Sequence, residues 1–414
     1  SVRFDSSNTG GSNASEAIRA AGEAILRGDI LAAKGIGGYQ LICDATMEVT
    51  VRRLRERKGR RKKPLAVMVE SLDAARQFAH LDPAEEQALT SIAGPIVLVR
   101  SLRESQLAKS VHFELADVGL ILPTTALHAL LLARVGRPVI VTSGNLEGEP
   151  IVYQEDAAIE QLKSVADCFL HHDRAIVRPI DDSVVRCMAG QQVILRAARG
   201  ISPLSLKMDW NANSKSTLLA VGGHQKAAIA ISNGKSSILG PHIGDLNTLA
   251  NRDRYKEQQQ ELCNLYRVDS VSVAHDLHSD YFTTEFGKSL TGQPCTAQSH
   301  PIQHHHAHVV AGMLEHGWLY RQVLGFAFDG TGAGSDGTIW GGEVLLCTAT
   351  SFRRVARLRP FPMLGGEAAI RQPWRLAFSL LHDTFGAEAE TIARKLKIKN
   401  TWLPTIWQML GNCT

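Results

Sequence analysis

The sequence predicts a mixed α/β protein with two domains. A chain of 414 residues is longer than a single hydrophobic core usually organises. In the first half, short apolar segments typical of buried strands, such as residues 138–141, alternate with segments of helical periodicity. Residues 203–216 have turn-forming composition and no periodicity, so we place the domain boundary there. The predicted organisation is a first domain over 15–205, a linker over 206–216 and a second domain over 217–414.

The composition is that of an ordinary globular protein. Hydrophobic residues make up 44% of the chain and charged residues 21%, and the net charge of +4 does not by itself indicate nucleic acid. The seven cysteines are scattered without a C-x-x-C pair, which favours reduced cytoplasmic thiols over a disulfide framework. No apolar run reaches the roughly eighteen residues that a bilayer requires, so we predict no membrane span. Residues 1–14 are interpreted as a linker, and both ends suggest a piece of a longer protein.

A basic segment in the first domain predicts an anion-binding loop. Arginines and lysines crowd residues 52–63, directly before an apolar strand predicted over residues 65–69. So many like charges repel one another unless water or an anion neutralises them. Because the segment leads into a sheet, its charges can be held over a cavity, and we select Lys58, Arg60 and Lys63 as a phosphate clamp. A solvated face or an RNA-binding patch is the alternative.

Other candidate ligands for phosphate or ribose follow predicted strands of the same domain. Lys34 opens a glycine-rich turn that can cradle an anion, although the ending of a Walker loop is missing. Ser143 and Asn145 end a strand with short polar groups that can bond phosphate or ribose oxygens, although such a tetrapeptide also forms simple turns. The remaining candidates belong to a later segment and the hairpin-like strand after it: Ser183, Arg196 and Arg199.

The second domain carries a candidate metal centre. His304 and His308 are four residues apart on a predicted helix, so both imidazoles project from one face. The apolar run over residues 323–328 predicts a buried strand that ends in Asp329. Two imidazoles and a carboxylate suit zinc or iron, with positions left open for a substrate or a further ligand. The alternative is a group of surface histidines at the start of a helix.

Glycine-rich turns in the second domain predict contacts with an anion. One turn is expected directly after Asp329, with its backbone amides free to face a phosphate. Another glycine pair lies within a predicted β-meander over residues 218–239. The candidate phosphate-binding residues are Gly222, Gly223, Gly330, Thr331 and Gly332. Asp276 and His278, at another predicted strand end, fit a structural hydrogen bond and a site role equally well.

Two groups of motifs resemble known families. Residues 15–205 resemble the YrdC family through the Lys58-x-Arg60 and Ser143-x-Asn145 pairs and the segments around Ser183 and Arg196. Residues 217–414 resemble the first part of the actin-like carbamoyl- and threonylcarbamoyl-transferases, through VGGH, the histidine pair and DGTG. In this order, and with QHHHAH and FDGTGAGSDGTIWGGE, the chain resembles the HypF carbamoyltransferases of [NiFe]-hydrogenase maturation. The resemblance implies a YrdC-like mixed α/β domain followed by an actin-like, RNase H-like (ASKHA-type) domain with an incomplete second lobe.

The resemblance also implies a reaction and its partners. Carbamoyl phosphate, as a source of carbamate, and ATP with Mg²⁺ are expected to form a carbamoyl-adenylate in the first domain and to release pyrophosphate. Lys58 and Arg60 are then the expected catalytic residues. The second domain, with zinc or iron, is expected to pass the carbamoyl group to the C-terminal cysteine of a partner protein, HypE. Dehydration on HypE would then give the cyanide ligand of the hydrogenase iron.

Some features depart from the family, and other functions stay open. The acylphosphatase domain and the zinc fingers of HypF proteins are not found, and a later carboxylate ligand is expected beyond the last residue, so weak metal binding is expected. A tRNA threonylcarbamoylation enzyme shares both domain types, although the fused order argues against it. A small-molecule O-carbamoyltransferase and a truncated scaffold without activity also stay open.

Overall fold

The computed structural model describes most of the chain, in two units. The described residues are 1–6, 9–10, 13–113, 115–207, 217–232, 236–268, 271–290, 296–396, 398 and 403–411. The predicted linker at 206–216 therefore lies almost wholly outside the described residues. One unit comprises Ser1–His275 with Ser279–His300, and the other comprises Asp276–His278 with Pro301–Thr414.

A large mixed sheet forms the first part of the first unit. Its strands are β1 (Val2–Ser6), β2 (Thr9–Gly10), β3 (Leu31–Lys34), β4 (Tyr39–Asp44), β5 (Ala66–Met68), β6 (Ala79–His80), β7 (Ile96–Ser101), β8 (Asp117–Ile121), β9 (Val139–Ser143), β10 (Cys168–His172), β11 (Val184–Met188) and β12 (Gln191–Arg196). Among the described residues these twelve strands follow the order β12-β11-β7-β8-β5-β9-β4-β3-β10-β1-β2, with β6 beside β7. β5 pairs in parallel with β8 and antiparallel with β9, so the sheet is mixed, as predicted.

Helices cover both faces of this sheet. In the described part of the unit they are α1 (Ala14–Leu26), α2 (Glu48–Lys58), α3 (Leu72–Ala75), α4 (Pro83–Leu89), α5 (Ala126–Val135) and α6 (Glu155–Leu162). Successive side chains of a strand point to opposite faces. Leu31 of β3 therefore packs in one core with α1 and α5, whereas its neighbour Ala32 packs in another with α2 and α6.

A smaller sheet completes the first unit. Its elements are β13 (Leu204–Lys207), β14 (Thr217–Ala220), β15 (Ala230–Ser232), β16 (Ser236–Leu239), α7 (Leu249–Tyr266), β17 (Val271–Asp276), α8 (Phe282–Leu290) and β18 (Thr296–Ile302). The strand order is β13-β16-β15-β14-β17-β18, and the antiparallel run from β14 to β16 confirms the predicted meander. Tyr255 of α7 fills the core of this part, and its hydroxyl donates to the carbonyl of Val221 at 2.6 Å.

The second unit combines a three-stranded sheet with helices. Its elements are α9 (His304–Glu315), β19 (Val323–Ala333), β20 (Ile339–Cys347), β21 (Phe352–Arg357), α10 (Glu367–Arg371), α11 (Trp374–Phe385), a 3₁₀ turn (Gly386–Glu388), α12 (Ala389–Lys395) and α13 (Leu403–Gly411). Met313 of α9 packs against Trp340 and Leu345 of β20, which fixes α9 on one face of the sheet. In the described part of the chain, no helix has the length and apolarity needed to cross a bilayer.

The predicted ends of the first domain need correction. The segment Val2–Ser6, interpreted as linker, forms β1 and pairs antiparallel with β10. In the sequence, polar residues around Phe4 weaken the apolar pattern that would predict a strand. In the structure, Phe4 is only 2% exposed. At the other end, β13 crosses the predicted boundary after residue 205 and pairs with β16 in the smaller sheet.

β19 also differs from the predicted buried strand. It continues through the expected Gly-Thr-Gly turn to Ala333 and pairs with β20 on both sides of a bulge. Its burial alternates, because one face packs on α9 while Leu324, Phe326 and Phe328 point to the other face and are 54%, 63% and 63% exposed. An apolar run that is continuous in sequence does not distinguish a strand buried on both faces from one buried on a single face.

Arg55 organises the basic loop that follows α2. Although it belongs to the charged segment, its side chain is buried, and its guanidinium donates only to backbone carbonyls. Nε donates to Ser110 (2.5 Å), Nη1 to Arg60 and Lys63 (both 2.9 Å), and Nη2 to Val111 (2.9 Å). Burial, followed by repulsion from Arg60, lowers the pKa of Arg55 to about 10, which leaves it charged at neutral pH. The loop is therefore held in place by one of its own arginines.

We expect Arg55→Leu to lower the free energy of unfolding by about 3 kcal/mol, because buried carbonyls would lose a charged donor. Arg52→Leu on the same helix is the matched control. Arg52 is exposed and pairs with Glu48 one turn away, so the expected loss is below about 0.5 kcal/mol. Urea unfolding of both variants measures the difference. Equal losses in the two variants would contradict the organising role of Arg55.

Candidate active site

The first unit contains a cavity of about 480 Å³. Most of the phosphate-binding residues predicted for the first domain line it: Lys58, Arg60, Lys63, Ser143, Asn145, Arg196 and Arg199. They come from the end of α2, the basic loop, the end of β9 and the strand β12 with the residues after it. The volume lies in the range of small-molecule sites and is sufficient for a nucleotide.

Lys58 binds the turn that follows β9. Its side chain is almost fully buried, and Nζ donates to the carbonyls of Ser143 (2.6 Å) and Asn145 (2.5 Å) and to Asn145 Oδ1 (2.7 Å). Ser143 Oγ donates to the same Oδ1 at 2.7 Å. Lys58 Nζ therefore bonds both polar residues predicted with it, at the wall of the cavity. The alternative of a solvated basic face is wrong for this lysine.

Burial, followed by repulsion from Arg60, lowers the pKa of Lys58 to about 7. Burial and then the nearby Arg196 also lower the pKa of Arg60. Arg60 donates to Pro64 O (2.8 Å) and Thr142 Oγ1 (3.4 Å), but its buried Nε has no hydrogen-bond partner among the described residues. Like charges together with an unsatisfied donor favour an anion at this wall of the cavity.

Carboxylates also line the cavity and limit its positive charge. Asp182 accepts from Arg199 Nε (2.8 Å) and from Gln40 Nε2 (3.0 Å). Arg199 also donates to the carbonyls of Ala93 (3.2 Å) and Gly94 (2.8 Å), so its donors serve the fold although it lines the cavity. Burial raises the pKa of Asp181, and the charge of Arg196 opposes that shift.

Two predicted anion ligands have structural roles instead. Lys34 is buried and donates to the carbonyl of His172 at 3.0 Å. Ser183 is fully buried, donates to the carbonyl of Arg199 (2.9 Å) and accepts from the N–H of Ala198 (2.9 Å). Neither residue lines the cavity. Sequence places both residues beside strands, but it does not give the direction in which such a side chain points.

The glycine pair after β14 has a clear backbone role. Gly222 has a φ of 67°, and a Cβ there would lie 2.6 Å from the carbonyl oxygen of Ala228, so glycine is required. A Cβ at Gly223 would meet no atom within 4 Å. The proposed phosphate contacts of both residues stay predictions.

The second unit brings the three predicted metal ligands together. Asp329 Oδ2 lies 3.1 Å from His304 Nε2 and 3.5 Å from His308 Nε2, and the two imidazole nitrogens are 3.2 Å apart. α9 begins at His304, where the side chain of Gln303 caps the helix by accepting from the N–H of His306. The i, i+4 spacing therefore works as the sequence predicts, and three ligand atoms face one point.

Neighbouring groups orient these ligands. His304 Nδ1 donates to Asp276 Oδ2 at 2.7 Å, which directs Nε2 towards Asp329 and, with the charge of Asp276, raises the pKa of His304. His305 is fully buried and donates from Nε2 to Asp329 Oδ1 at 3.1 Å. Asp329 Oδ2 is buried and faces the Nε2 atoms of His304 and His308, as expected of an oxygen that would share a cation with them. The geometry favours the site role for Asp276, whereas His278 contributes a backbone N–H to it.

The segment after Asp329 is a bulge rather than the predicted turn. Residues 329–331 stand opposite Gly341 alone, because the register passes from Phe328–Gly342 to Gly332–Trp340. A Cβ at Gly332 would lie 2.7 Å from His305 Cε1 and 2.9 Å from His304 Cδ2. Glycine at this position therefore lets the imidazoles approach the strand. Anion binding by Gly330, Thr331 and Gly332 stays a prediction.

Comparison with known families agrees with this architecture. Residues 23–198 match the Sua5/YciO/YrdC family model, described as telomere recombination. Residues 213–315 match the HypF Kae1-like domain, and residues 325–413 match the second subdomain of the carbamoyltransferase Kae1-like domain.

Full-length relatives show the same similarity. The chain is 40% identical over 389 residues to carbamoyltransferase HypF of Synechocystis sp., covering 94% of this chain and 50% of that protein. It is 38% identical over 403 residues to carbamoyltransferase HypF of Rhodobacter capsulatus, covering 94% and 53%. A crystal structure of full-length HypF in a phosphate- and nucleotide-bound form superposes with a TM-score of 0.92 at 36% identity, covering 100% of this chain and 53% of that one.

The fold and the two sites define a YrdC-like domain joined to a Kae1-like domain. More specifically, the chain belongs to the HypF family. It spans about half the length of the curated relatives it matches.

We expect Asp276→Asn to weaken the binding of Zn²⁺ about 10- to 100-fold, because the orienting acceptor of His304 loses its charge. His304→Ala should weaken it further, because a ligand is lost. His316→Ala, an exposed histidine just after α9, is the control and should bind as the parent chain does. Titration of Zn²⁺ into chelator-treated protein, followed by calorimetry, measures the affinities. Parental affinity in Asp276→Asn would contradict this role.

We expect Lys58 to take up a proton when ATP binds. Since its pKa is lowered to about 7, the free site loses this proton as pH rises through neutrality, and a bound polyphosphate raises the pKa again. Calorimetry at pH 7.5 in buffers of different ionisation enthalpy measures the proton uptake. Lys58→Arg stays charged and Lys58→Met cannot titrate, so both should take up fewer protons than the parent chain. Equal uptake in all three proteins would rule out Lys58 as the source.

Proposed function

We propose that this chain is the adenylate-forming and transferring part of an ATP-dependent carbamoyltransferase. The observation that carries the proposal is the cavity of the first unit, which Lys58, Arg60 and Arg196 line and where Arg60 Nε is an unsatisfied donor. Membership of the HypF family supports it, since the relatives are named carbamoyltransferases and one related structure holds phosphate and nucleotide.

In the first step, an oxygen of carbamate attacks the α-phosphorus of ATP. A bond forms between this oxygen and phosphorus, the bond between the α- and β-phosphates breaks, and pyrophosphate leaves, giving carbamoyl-adenylate. The protein supplies little covalent chemistry in such a step, so positioning and positive charge dominate. Arg60 and Arg196 stabilise the developing charge, Lys58 holds the turn with Ser143 and Asn145 against the nucleotide, and Lys63 adds charge at the rim. Mg²⁺ is the expected counterion of the polyphosphate.

In the second step, a thiolate attacks the carbamoyl carbon. A carbon–sulfur bond forms, the bond between this carbon and the adenylate oxygen breaks, and AMP leaves. His304, His308 and Asp329 would hold a zinc or iron ion, which supplies Lewis-acid polarisation when bound. Asp276 and His305 keep the ligands in position. We propose the C-terminal cysteine of HypE as the acceptor and the cytoplasm as the location.

The test is carbamate-dependent exchange of labelled pyrophosphate into ATP by the 414-residue chain. Carbamate is supplied as carbamoyl phosphate and, separately, as ammonium bicarbonate, which contains it at equilibrium. We expect exchange with at least one source, and a loss of about a hundredfold or more in Arg60→Met, because the charged donor at the reacting phosphate is removed.

Lys62→Met in the same loop is the matched control, since Lys62 is exposed and does not line the cavity. It should retain parental exchange. If the parent chain exchanges pyrophosphate equally well without carbamate, or if Arg60→Met keeps full exchange, the proposed adenylation is wrong.

A further inference from the structure

The cavity of the first unit is not built from the large sheet alone. Lys226, His242 and Asn251 also line it, and they belong to the part of the unit that contains the smaller sheet. Hydrogen bonds hold this wall against the YrdC-like part: the N–H of His242 donates to Ala197 O at 2.8 Å, and Asn251 Nδ2 donates to Gly148 O at 2.7 Å. The matched YrdC-type region ends at residue 198, so these three residues lie outside it.

Lys226 is held in an unusual backbone conformation. Its φ is 49°, in the left-handed region that residues other than glycine, asparagine and aspartate seldom occupy. The conformation is fixed on both sides, because its N–H donates to Asp245 Oδ1 at 2.9 Å and the next residue, Ala227, forms a bridge with Gly244. Such positions persist where the surrounding structure imposes them, often beside ligands. Its exposed side chain forms no ion pair within the described part of the chain.

His242 lies within the electrostatic influence of Arg196 and Lys226. Burial is the main cause that lowers its pKa to about 4, followed by repulsion from Arg196; Asp245 opposes the shift, and Lys226 adds to it. Its imidazole is therefore neutral at physiological pH and offers one donor and one acceptor. Within the described residues, no hydrogen bond of the ring to another side chain or to the backbone is found.

We propose that Lys226 and His242 form the second half of an anion-binding site whose first half is Arg60 and Arg196. The ligand is the polyphosphate of the nucleotide or the pyrophosphate released from it. The inference rests on the proposed function, and it adds that the YrdC-like part binds this ligand only together with the neighbouring sheet. The sequence motifs single out neither residue as a ligand.

The chemistry of the two halves is complementary. Arg60, Arg196, Lys226 and His242 all line the same cavity. The charge of Arg196 contributes to the lowered pKa of both Arg60 and His242. A polyphosphate has acceptor oxygens along its length, so it can accept hydrogen bonds from several of these groups at once. The neutral His242 provides an N–H donor without adding a further positive charge to the free site.

The test measures binding of inorganic pyrophosphate to the whole 414-residue chain by calorimetry at fixed ionic strength. Lys226→Met and His242→Ala should each weaken binding about tenfold, as expected for one lost charge-assisted or buried hydrogen bond. Lys226→Arg and His242→Gln keep a donor and should restore most of the affinity. Lys256→Met is the matched control, because Lys256 lies on α7, pairs with Asp253 and does not line the cavity.

Arg196→Met separates this inference from the proposed function. If Arg196→Met weakens pyrophosphate binding while Lys226→Met and His242→Ala bind as the parent does, the shared site is refuted and the proposed function stands. If Arg196→Met has no effect either, the proposed polyphosphate site is refuted together with this inference. Thermal melting confirms that each variant is folded, and the donor-retaining variants distinguish a lost contact from a distorted wall.

Discussion

The candidate active site of the first unit depends on the buried ammonium group of Lys58. Its three hydrogens meet the carbonyls of Ser143 and Asn145 and the side chain of Asn145, so α2 is joined to the end of β9. Without this contact, the turn after β9 would have no charged donor among its acceptors. Arg55 holds the basic loop in a similar way, because its guanidinium donates to the carbonyls of Arg60 and Lys63. Lys58 and Arg55 thus support the cavity wall, and Arg60 and Lys63 of the same segment line the cavity.

The difference between cations that hold the backbone and cations that line the cavity bears on which features the sequence could predict. The mixed α/β fold, the meander and the position of the metal ligands follow from hydrophobic periodicity, turn residues and the i, i+4 rule, which are local properties. The roles of Lys34, Ser183 and Arg199 do not follow, because each depends on a carbonyl or carboxylate more than ten residues away in sequence. Arg55 shows the same limit, since a charged residue in a basic cluster is expected to be exposed until its buried acceptors are known.

The candidate metal centre of the second unit depends on the orientation of its side chains. His304 and His308 are placed by the helix, but the ring of His304 is turned by Asp276, and Asp329 is held by His305. The bulge after Asp329 also changes the local geometry. A regular strand would place one residue opposite Gly341, whereas three residues lie there in this structure. Glycine at position 332 then leaves room for the imidazoles. The sequence identifies the candidate ligands, whereas the orientation of the His304 ring depends on packing and on Asp276.

The electrostatics of the cavity favour occupation by an anion over the free state. Burial destabilises charge on Lys58, Arg60 and Asp181 alike, and the lowered pKa of each cation measures how poorly the protein alone replaces water around it. An anionic ligand removes this penalty for the cations, so part of its binding free energy comes from relief of repulsion already present. The donors are fixed before the ligand arrives, by carbonyls around Lys58 and by Pro64 and Thr142 around Arg60. Such preorganised charge needs little rearrangement when negative charge shifts between phosphates, which is the condition for stabilising an adenylation transition state.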